Sequence, residues 1–468
     1  MAWRKQKSQP QQQPEQKQVT VLQAGDEART RVGGETVLVG DHLAEGGQGR
    51  VFRAQVNGQP FAVKWYRPSA DPSYDTQRAA GLAALVERGR PEHPSFIWPI
   101  GMVECTKRAG FGYLMPLLDE RFISFVQMMK APQPPGFATL ITAGLNLVDA
   151  IASLHTSGLC YRDISFGNLY VDKASGDIAV IDNDNIGVSG SDTTVLGTPQ
   201  FMAPEVIRRE MPPSTETDLY SLAVFLFYLF CFGHPLEGAA VEASYSWDDD
   251  RRISEEELLL KHYGKDPVFI FDPDNPGNRP LPGSPAANWW PIYPRFFRNL
   301  FVRSFTTGLA DSSLTGRLTE GIWRRGLRRL TDCLWVCGDC QASIFFDPDD
   351  PDHSCWSCGA VPDPPMLLSV PGHAIVLTEG AVLTTRHLKL PGRADYPIAV
   401  AESDPRYPDA ILLRNVSRGA WSVEPDGEEP KQVKPGKRLM VRSMTMSVAG
   451  KRAVIQPAGE KHGTTFVA

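Results

Sequence analysis

The chain has 468 residues, of which 42% are hydrophobic and 22% are charged, and its formal net charge is -6. These values are typical of a folded globular protein of two or three domains, and the negative charge disfavours a general nucleic-acid binder. The N-terminal sequence has no apolar segment typical of a secretory signal. The longest apolar run, Leu219–Gly233, is short for a bilayer span and favours a buried helix. We therefore expect a cytoplasmic protein that is not embedded in a membrane.

Residues 1–25 are predicted to form a disordered tail. The first twenty are rich in Gln, Pro and Lys and contain almost nothing apolar, so they cannot bury enough surface to fold. From Thr36 onward the pattern changes to strands.

A glycine-rich hairpin, Leu43–Phe52, precedes a strand, Phe61–Tyr66, that carries Lys64. Glycines between two strands let backbone N–H groups approach phosphates closely. A lysine on the next strand can then reach the same phosphates as a point charge. Most glycine-rich hairpins are ordinary turns, so it is the Ala62-Val63-Lys64 sequence at this spacing that favours a phosphate site.

Helical spacing of apolar residues predicts one helix over Thr76–Glu87 and another over Ala138–His155. Gly158 is expected to end the second helix. Between the two helices, Pro116 has no backbone donor and marks a connector between two lobes.

The loop Tyr161–Asn168 carries a carboxylate, Asp163, five residues before an amide, Asn168. The following apolar segment, Ile178–Ile181, is predicted to be a buried strand that delivers Asp182. Phosphoryl transfer with bound Mg²⁺ uses a carboxylate to orient a hydroxyl and hard oxygen ligands for the metal. Asp and Asn are also common turn residues, so this interpretation depends on the flanking motifs.

Those flanking motifs follow one another in the order found in eukaryotic-type protein kinases. They are Leu43–Phe52, Ala62-Val63-Lys64, His93-Pro94, Tyr161-Arg162-Asp163 with Asn168, Asp182, Gly197-Thr198-Pro199, Ala203-Pro204-Glu205, Asp218, His234-Pro235 and Arg317-Leu318-Thr319. The chain therefore resembles a eukaryotic-type protein kinase over residues 30–332. It is most similar to an atypical bacterial group with Trp98-Pro99, Gly112–Pro116 and Tyr161–Ser165.

The resemblance implies a bilobal fold that binds ATP between its lobes and phosphorylates serine or threonine in a protein substrate. Asp163 would orient the substrate hydroxyl, and Lys64 would pair with the nucleotide phosphates. Asn168 and Asp182 would hold Mg²⁺. The implied nucleotide-binding residues are Ala44, Gly46, Gly47, Gly49, Val51, Ala62, Lys64, Met115, Leu117 and Leu118.

The resemblance also implies that Asp218 ties its helix to the backbone of the catalytic loop. A phosphorylation site in the activation segment is expected among Thr193, Thr194, Thr198, Ser189 and Ser191. Partners implied by the bacterial group are a von Willebrand-type domain protein and a metal-dependent phosphatase.

Three departures from the kinase pattern concern the charges around the site. Ser165 replaces a lysine, Asn183-Asp184 replaces Phe-Gly after the metal aspartate, and no Glu lies at the expected distance beyond Lys64. Glu87 is the nearby candidate for the missing ion-pair partner, and Asp184 could add a second carboxylate ligand. The alternative interpretation is therefore a nucleotide-binding pseudokinase scaffold.

Residues 333–362 are predicted to be a zinc ribbon. Cys337, Cys340, Cys355 and Cys358 form two Cys-x-x-Cys pairs, the ligand set of a tetrahedral structural zinc site. Redox or disulfide pairs are the alternative. Clustered cysteines of this kind indicate a reducing compartment. Acidic residues in the intervening loop argue against nucleic-acid binding by the ribbon; they are Asp347, Asp349, Asp350 and Asp352.

Residues 366–458 are predicted to form a small all-β sandwich. Short apolar segments, of which Met440–Val448 is the last predicted strand, alternate with turn signals such as Pro435-Gly436. The second half is weakly similar to a forkhead-associated domain, in which Arg386-His387 would be the nearest approximation to a phosphothreonine grip. The fold class is therefore α+β multidomain: a bilobal kinase fold, a zinc ribbon and a β-sandwich.

Overall fold

A computed structural model describes residues 21–46, 49–191, 193, 195–244, 254–350, 353–392 and 395–459. Most of the predicted tail, residues 1–20, lies outside this range. The chain divides into two compact units. Unit 1 comprises the described residues up to Arg90, together with Phe96–Asp119 and Ile181–Asp184. Unit 2 comprises Pro91–Ser95, Glu120–Val180 and the described residues from Asn185 onward.

The described part of unit 1 forms a closed antiparallel barrel with the strand order β1-β2-β3-β4-β6-β5. Its elements are β1 Glu27–Thr30, β2 Thr36–Glu45, β3 Gly49–Val56, β4 Gln59–Tyr66, helix α1 Pro72–Arg88, β5 Gly101–Glu104 and β6 Phe111–Pro116. The helix predicted over Thr76–Glu87 is confirmed as α1. Strand β1 was not predicted, because its sequence EART has no apolar alternation.

The two faces of β4 enter different cores, as the alternation of side chains along a strand requires. Val63 and Trp65 pack inside the barrel, where Leu22 is also fully buried. The prediction of a disordered tail over residues 1–25 is therefore wrong at Leu22, which belongs to the barrel core. Ala62 and Tyr66 pack on the opposite face with α1 residues, and Lys64 shares that face because it lies between them in the strand.

Unit 2 begins with a helical part. Its described helices are α2 Phe125–Met129, α3 Phe137–Thr156, α4 Pro204–Ile207, α5 Thr215–Cys231, α6 Ala239–Ser244, α7 Glu255–Leu259, α8 Pro285–Trp289, α9 Arg295–Ser304, α10 Thr307–Ala310 and α11 Glu320–Asp332. Short strands accompany them: β7 Ile123–Ser124, β8 Leu159–Cys160, β9 Leu169–Val171, β10 Ile178–Val180 and β11 Gly187–Val188. Single turns of 3₁₀ helix occur at Pro199–Phe201 and Trp290–Ile292, and Leu260–Lys265 is π-helical. A further 3₁₀ turn, Asn183–Asn185, begins in unit 1.

Helices α3 and α5 form the core of this helical part. Within the described residues, α3 is the one helix long and apolar enough to cross a membrane, and more than half of its apolar window is buried inside the protein. Helix α5 is buried from Thr217 to Cys231 and starts at a capping box of Ser214 and Thr217. The buried-helix interpretation of Leu219–Gly233 is therefore confirmed.

The remaining described residues of unit 2 form a small ribbon and a β-sandwich. The ribbon strands are β12 Leu334–Val336 and β13 Ser343–Phe345. One sheet of the sandwich has the order β15-β14-β23-β22-β19-β20 and the other β16-β17-β18-β21. The strands are β14 Met366–Val370, β15 His373–Val376, β16 Val382–Thr384, β17 Pro397–Asp404, β18 Tyr407–Asn415, β19 Trp421–Pro425, β20 Lys431–Val433, β21 Arg438–Met440, β22 Met444–Val448 and β23 Lys451–Pro457.

Both sheets contribute to one core centred on residues such as Trp421, Leu413 and Ile455. A single strand over Met440–Val448 was expected from the apolar pattern, and that expectation is wrong. The chain leaves β21 in the smaller sheet and enters β22 in the larger one. A chain that passes from one sheet to the other must bend between them, and this bend divides the segment into two strands.

Candidate active site

The glycine hairpin connects the end of β2 to the start of β3. The Gly46 N–H donates to the Gly49 carbonyl over 2.9 Å and closes the turn, while Gly47 lies outside the described residues. A Cβ on Gly49 would stand 2.3 Å from the Trp65 carbonyl oxygen, whereas one on Gly46 would meet nothing within 4 Å. The glycine at 49 is thus required by the close approach of β3 to β4, whereas Gly46 faces open space.

The predicted nucleotide-binding residues lie on neighbouring strands of the barrel. Leu117 and Leu118 follow β6 directly. The cross-strand partners are Ala44 with Val51, Val51 with Lys64, and Ala62 with Met115.

Lys64 is buried, with its side chain 8% exposed, and its ammonium group meets two carboxylates. Its Nζ donates to Asp184 Oδ1 over 3.0 Å and to Oδ2 over 3.2 Å, and it lies 3.2 Å from Asp182 Oδ1. Burial alone would lower the pKa of Lys64, and the charges of Asp184 and Asp182 outweigh burial and raise it. The ammonium form is therefore stabilised inside unit 1.

Asp184 also accepts hydrogen bonds from two buried tyrosines, Tyr113 over 2.9 Å and Tyr66. Burial alone would raise its pKa, and Lys64 with these hydrogen bonds lowers it below the usual range. With three donors on its two oxygens and a side chain only 2% exposed, Asp184 does not present the second metal ligand suggested by the sequence. Glu87, the other candidate partner of Lys64, is exposed on α1.

The segment around Asp182 has a fixed and unusual backbone. Asp182 has φ of 54°, a left-handed conformation that costs energy for a residue other than glycine and often marks a functional position. Its carboxylate is 36% exposed. The next residue, Asn183, is fully buried and donates its side-chain amide to the Ile97 carbonyl over 2.9 Å. A hydrogen-bonded amide thus stands where the kinase pattern has a phenylalanine.

In unit 2, the catalytic-loop carboxylate is held from two sides. Asp163 Oδ1 accepts the Thr198 N–H over 2.9 Å and the Thr198 hydroxyl over 2.8 Å. Asn168 Nδ2 donates to Asp163 Oδ2 and to the Asp163 carbonyl, each over 2.9 Å. These two acceptors orient the amide so that its oxygen is turned away from Asp163. Ser165, which replaces the usual lysine, is buried.

The Asp218 side chain anchors this loop by binding the backbone of the loop, as the resemblance implied. Its carboxylate accepts the Tyr161 N–H over 2.5 Å and the Arg162 N–H over 3.0 Å. His155 lies between Asp218 and Glu320 and contacts both through its two ring nitrogens. Burial alone would lower the pKa of His155, and these two carboxylates outweigh it and raise the pKa to about 9.

Arg162, next to Asp163, reaches the segment that contains the predicted phosphorylation sites. Arg162 donates to the Ser191 hydroxyl over 2.8 Å and to the Thr193 hydroxyl over 3.2 Å. Thr194 lies outside the described residues. Of the predicted phosphorylation sites, Ser191 and Thr193 are therefore the two that lie at this guanidinium, whereas Thr198 is bonded to Asp163.

The four predicted zinc ligands come together in the ribbon. The Sγ atoms of Cys337, Cys340, Cys355 and Cys358 all lie within 4.8 Å of one another, and all four thiols are free. The Cys337 N–H donates to Ala342 and the Cys355 N–H to Ala360, so the two Cys-x-x-Cys turns have matching geometry. This donor set fits a tetrahedral zinc ion, and it does not contain the disulfides of the alternative interpretation.

A second cluster, which the sequence did not indicate, joins α11 to the sandwich. Asp332 Oδ2 contacts His373 Nε2 at 2.8 Å and His387 Nε2 at 3.2 Å. His387 Nδ1 accepts the Thr384 N–H over 2.9 Å, so the proton of a neutral ring is on Nε2, and that nitrogen has no lone pair for a metal. Arg386 lies against the same carboxylate. Arg386-His387, the nearest approximation to a phosphothreonine grip in the sequence, therefore has both side chains engaged in this junction.

A comparison with protein-family models agrees with the kinase motifs found in the sequence. The family model described as protein kinase domain matches residues 38–259. The chain contains a protein kinase domain. The match covers both the glycine hairpin and the catalytic loop, so the kinase domain predicted from the sequence motifs is confirmed.

Relatives of this domain are named as serine/threonine kinases. The chain is 26% identical over 172 residues to a probable serine/threonine-protein kinase PLK of Dictyostelium discoideum, which covers 36% of this chain and 17% of the relative. It is 26% identical over 276 residues to the cell cycle serine/threonine-protein kinase CDC5/MSD2 of Saccharomyces cerevisiae, covering 54% and 37%. It is 28% identical over 208 residues to the DNA damage-responsive serine/threonine-protein kinase RqkA of Deinococcus radiodurans, covering 42% and 30%.

The chain therefore spans less than two fifths of the length of each of these relatives. The family model and these relatives therefore match the kinase-domain part of the chain.

Proposed function

We propose that this chain is an active serine/threonine protein kinase that transfers the γ-phosphate of ATP to a hydroxyl of a protein substrate. The observation that carries the proposal is the arrangement of Asp163, whose carboxylate is held in place by Thr198 and Asn168. A general base must be oriented before it can accept a proton from a hydroxyl. The phosphate-binding charge is also present, because the ammonium group of Lys64 is paired with Asp182 and Asp184.

Each unit supplies a separate part of this machinery. In unit 1, the glycine hairpin and Lys64 bind nucleotide phosphates, and Ala62 and Met115 line the adenine site. In unit 2, Asp163 accepts or orients the proton of the substrate hydroxyl. Such a reaction depends on positioning and charge neutralisation, and the protein forms no covalent intermediate.

The residues available for Mg²⁺ fit the ion in chemical type. Asp182 offers a carboxylate that is 36% exposed, and Asn168 offers an amide oxygen turned away from Asp163. Both are hard oxygen ligands, which Mg²⁺ prefers. An ion held by these two residues would supply positive charge to offset the phosphate charge that develops during transfer.

The pseudokinase alternative is tested by transfer of labelled γ-phosphate from ATP to a generic protein substrate. We expect transfer by the wild type and its loss in Asp163→Asn, because the amide cannot accept the proton. Asp274→Asn, which neutralises an exposed loop carboxylate of unit 2, is the matched control and should retain activity. If folded wild-type protein binds Mg-ATP and transfers no phosphate, the chain is a scaffold and the proposal fails.

We further propose a zinc ion at the four cysteines, which the free thiols and the converging Sγ atoms support. Free thiols also favour a cytoplasmic location. The sandwich is proposed to be a forkhead-associated-like packing domain, and a role for it in bacterial signalling rests on resemblance. A von Willebrand-type domain protein and a metal-dependent phosphatase are the proposed partners, which co-purification with the intact chain would test.

A further inference from the structure

The partner of Lys64 in this chain comes from an unexpected part of the sequence. In protein kinases the corresponding lysine pairs with a glutamate of the neighbouring helix, and activation positions that helix. Here the acidic residues of α1 are Asp75, near its start, and Glu87, near its end. The Asp75 carboxylate accepts the Ser69 N–H, and Glu87 is exposed. The described contacts of the Lys64 ammonium group with carboxylates are those with Asp182 and Asp184.

The barrel strands direct three donors towards one carboxylate. Lys64 and Tyr66 are two residues apart on β4 and so point to the same face. Tyr113 on β6 is the direct cross-strand partner of Lys64, and directly opposite residues also share a face. Each of the three donates to Asp184. Asp184 therefore has a site built for it by the sheet.

The segment that carries Asp184 is itself held in position. Asn183 is buried and bonded to the Ile97 carbonyl, and Asp182 has the left-handed backbone described above. The turn at Asn183–Asn185 then brings the Asp184 carboxylate to Lys64. Lys64 and the proposed metal ligand Asp182 are thereby positioned by one short, hydrogen-bonded segment of chain.

We propose that Asp184 is the positioning residue of Lys64 and takes the role that a helix glutamate has in other kinases. This inference rests on the proposed function for its catalytic consequence. Since the carboxylate partner of Lys64 does not belong to α1, the lysine is kept in place without an ion pair to that helix. Displacement of α1 then does not break an ion pair of the phosphate-binding lysine.

The proposal is tested with Asp184→Asn, which keeps the shape and removes the charge, and with the double variant Asp75→Asn/Glu87→Gln, which neutralises both ends of α1. Asp184→Asn is expected to lower kcat/KM for ATP by about 10- to 100-fold, the scale of hydrogen bonds to charged groups. It should weaken ADP binding similarly and leave adenosine binding unchanged, because adenosine has no phosphates. A merely structural defect would weaken binding of both ligands.

A second measurement does not depend on catalysis or on nucleotide binding. Acetylation of Lys64 by acetic anhydride at a fixed pH, quantified by mass spectrometry, reports how firmly the amine is held. We expect slow modification in the wild type and in the helix double variant, and faster modification in Asp184→Asn. Faster modification or weaker ADP binding in the helix double variant would overturn the proposal, and this outcome remains readable if Asp184→Asn fails to fold. If the wild type is inactive but shows the expected acetylation pattern, the proposed kinase function is refuted and the positioning role of Asp184 is retained.

Discussion

The stability of unit 2 should depend on pH through His155, which lies at the end of α3 between Asp218 and Glu320. Asp218 in turn holds the backbone of the catalytic loop at Tyr161 and Arg162. Replacing His155 with Gln removes the positive charge and keeps a side chain of similar length. The variant therefore isolates the contribution of the protonated imidazole.

The size of this contribution follows from the pKa of the ring. The folded pKa is raised to about 9, whereas an unfolded histidine has a pKa of about 6.5. The His155 side chain is 10% exposed, and the difference corresponds to about 3 kcal/mol in the free energy of unfolding. Because the folded pKa is raised, this stabilisation is fully present below about pH 6.5 and is lost as the pH rises through 9.

Scanning calorimetry of the wild type and His155→Gln from pH 6 to pH 10 measures the effect. The difference in Tm should be largest at pH 6 and should narrow by roughly 4 °C towards pH 10, given about 1.4 °C per kcal/mol for a unit of about 350 residues. His42→Gln, which replaces an exposed histidine of unit 1, is the control variant and is measured in the same way. A Tm difference for His155→Gln that stays constant over this range would refute the assignment of a charged, carboxylate-paired imidazole.

Two further predictions concern the ribbon and the activation segment. Cys355→Ser should lose bound zinc, measured by atomic emission on the purified chain, whereas Cys333→Ser should retain it; equal zinc content in both would contradict the four-cysteine site. Phosphate mapping of the active protein should find modification at Thr193 or Ser191, since both hydroxyls lie at Arg162 and a phosphate there gains a charge-assisted pair. Phosphomimetic activation at Thr193 that persists in Arg162→Ala would contradict this pairing.

The sequence could locate the catalytic loop because the relevant residues are close together in the chain. Asp163 and Asn168 are five apart, and their mutual hydrogen bond in the structure depends on a short loop. The Cys-x-x-Cys pairs could be located for the same reason, because each pair lies in one local turn. The buried helices α3 and α5 were also predictable, because their apolar pattern is long.

The partner of Lys64 was beyond sequence reasoning. Asp184 is 120 residues further along the chain, and its pairing depends on the direction in which the turn at Asn183–Asn185 points its side chain. A sign of this pairing in the sequence was Asp184 itself, an acidic residue at the position where the kinase pattern has glycine. Strand β1 and the division of Met440–Val448 between two sheets depend on tertiary pairing, which overrides local pattern.

The junction at Asp332 shows a different limit. Arg386 and His387 form a dipeptide that could serve a surface site, and the sequence gives no sign of the buried carboxylate they meet. In the structure the His387 side chain is 1% exposed and contacts Asp332. Burial, which the sequence does not report for an isolated basic dipeptide, decides against the surface role.

The most direct test of the account is the formation of phosphoserine and phosphothreonine on a protein substrate during a single turnover with Mg-ATP. Wild-type protein and Asp163→Asn are compared at equal nucleotide occupancy. The account predicts phosphoserine or phosphothreonine from the wild type, and a rate lower by about 10²–10⁴-fold in Asp163→Asn, the typical contribution of a general base. Equal rates in the two proteins, or no transfer by nucleotide-bound wild type, would contradict it.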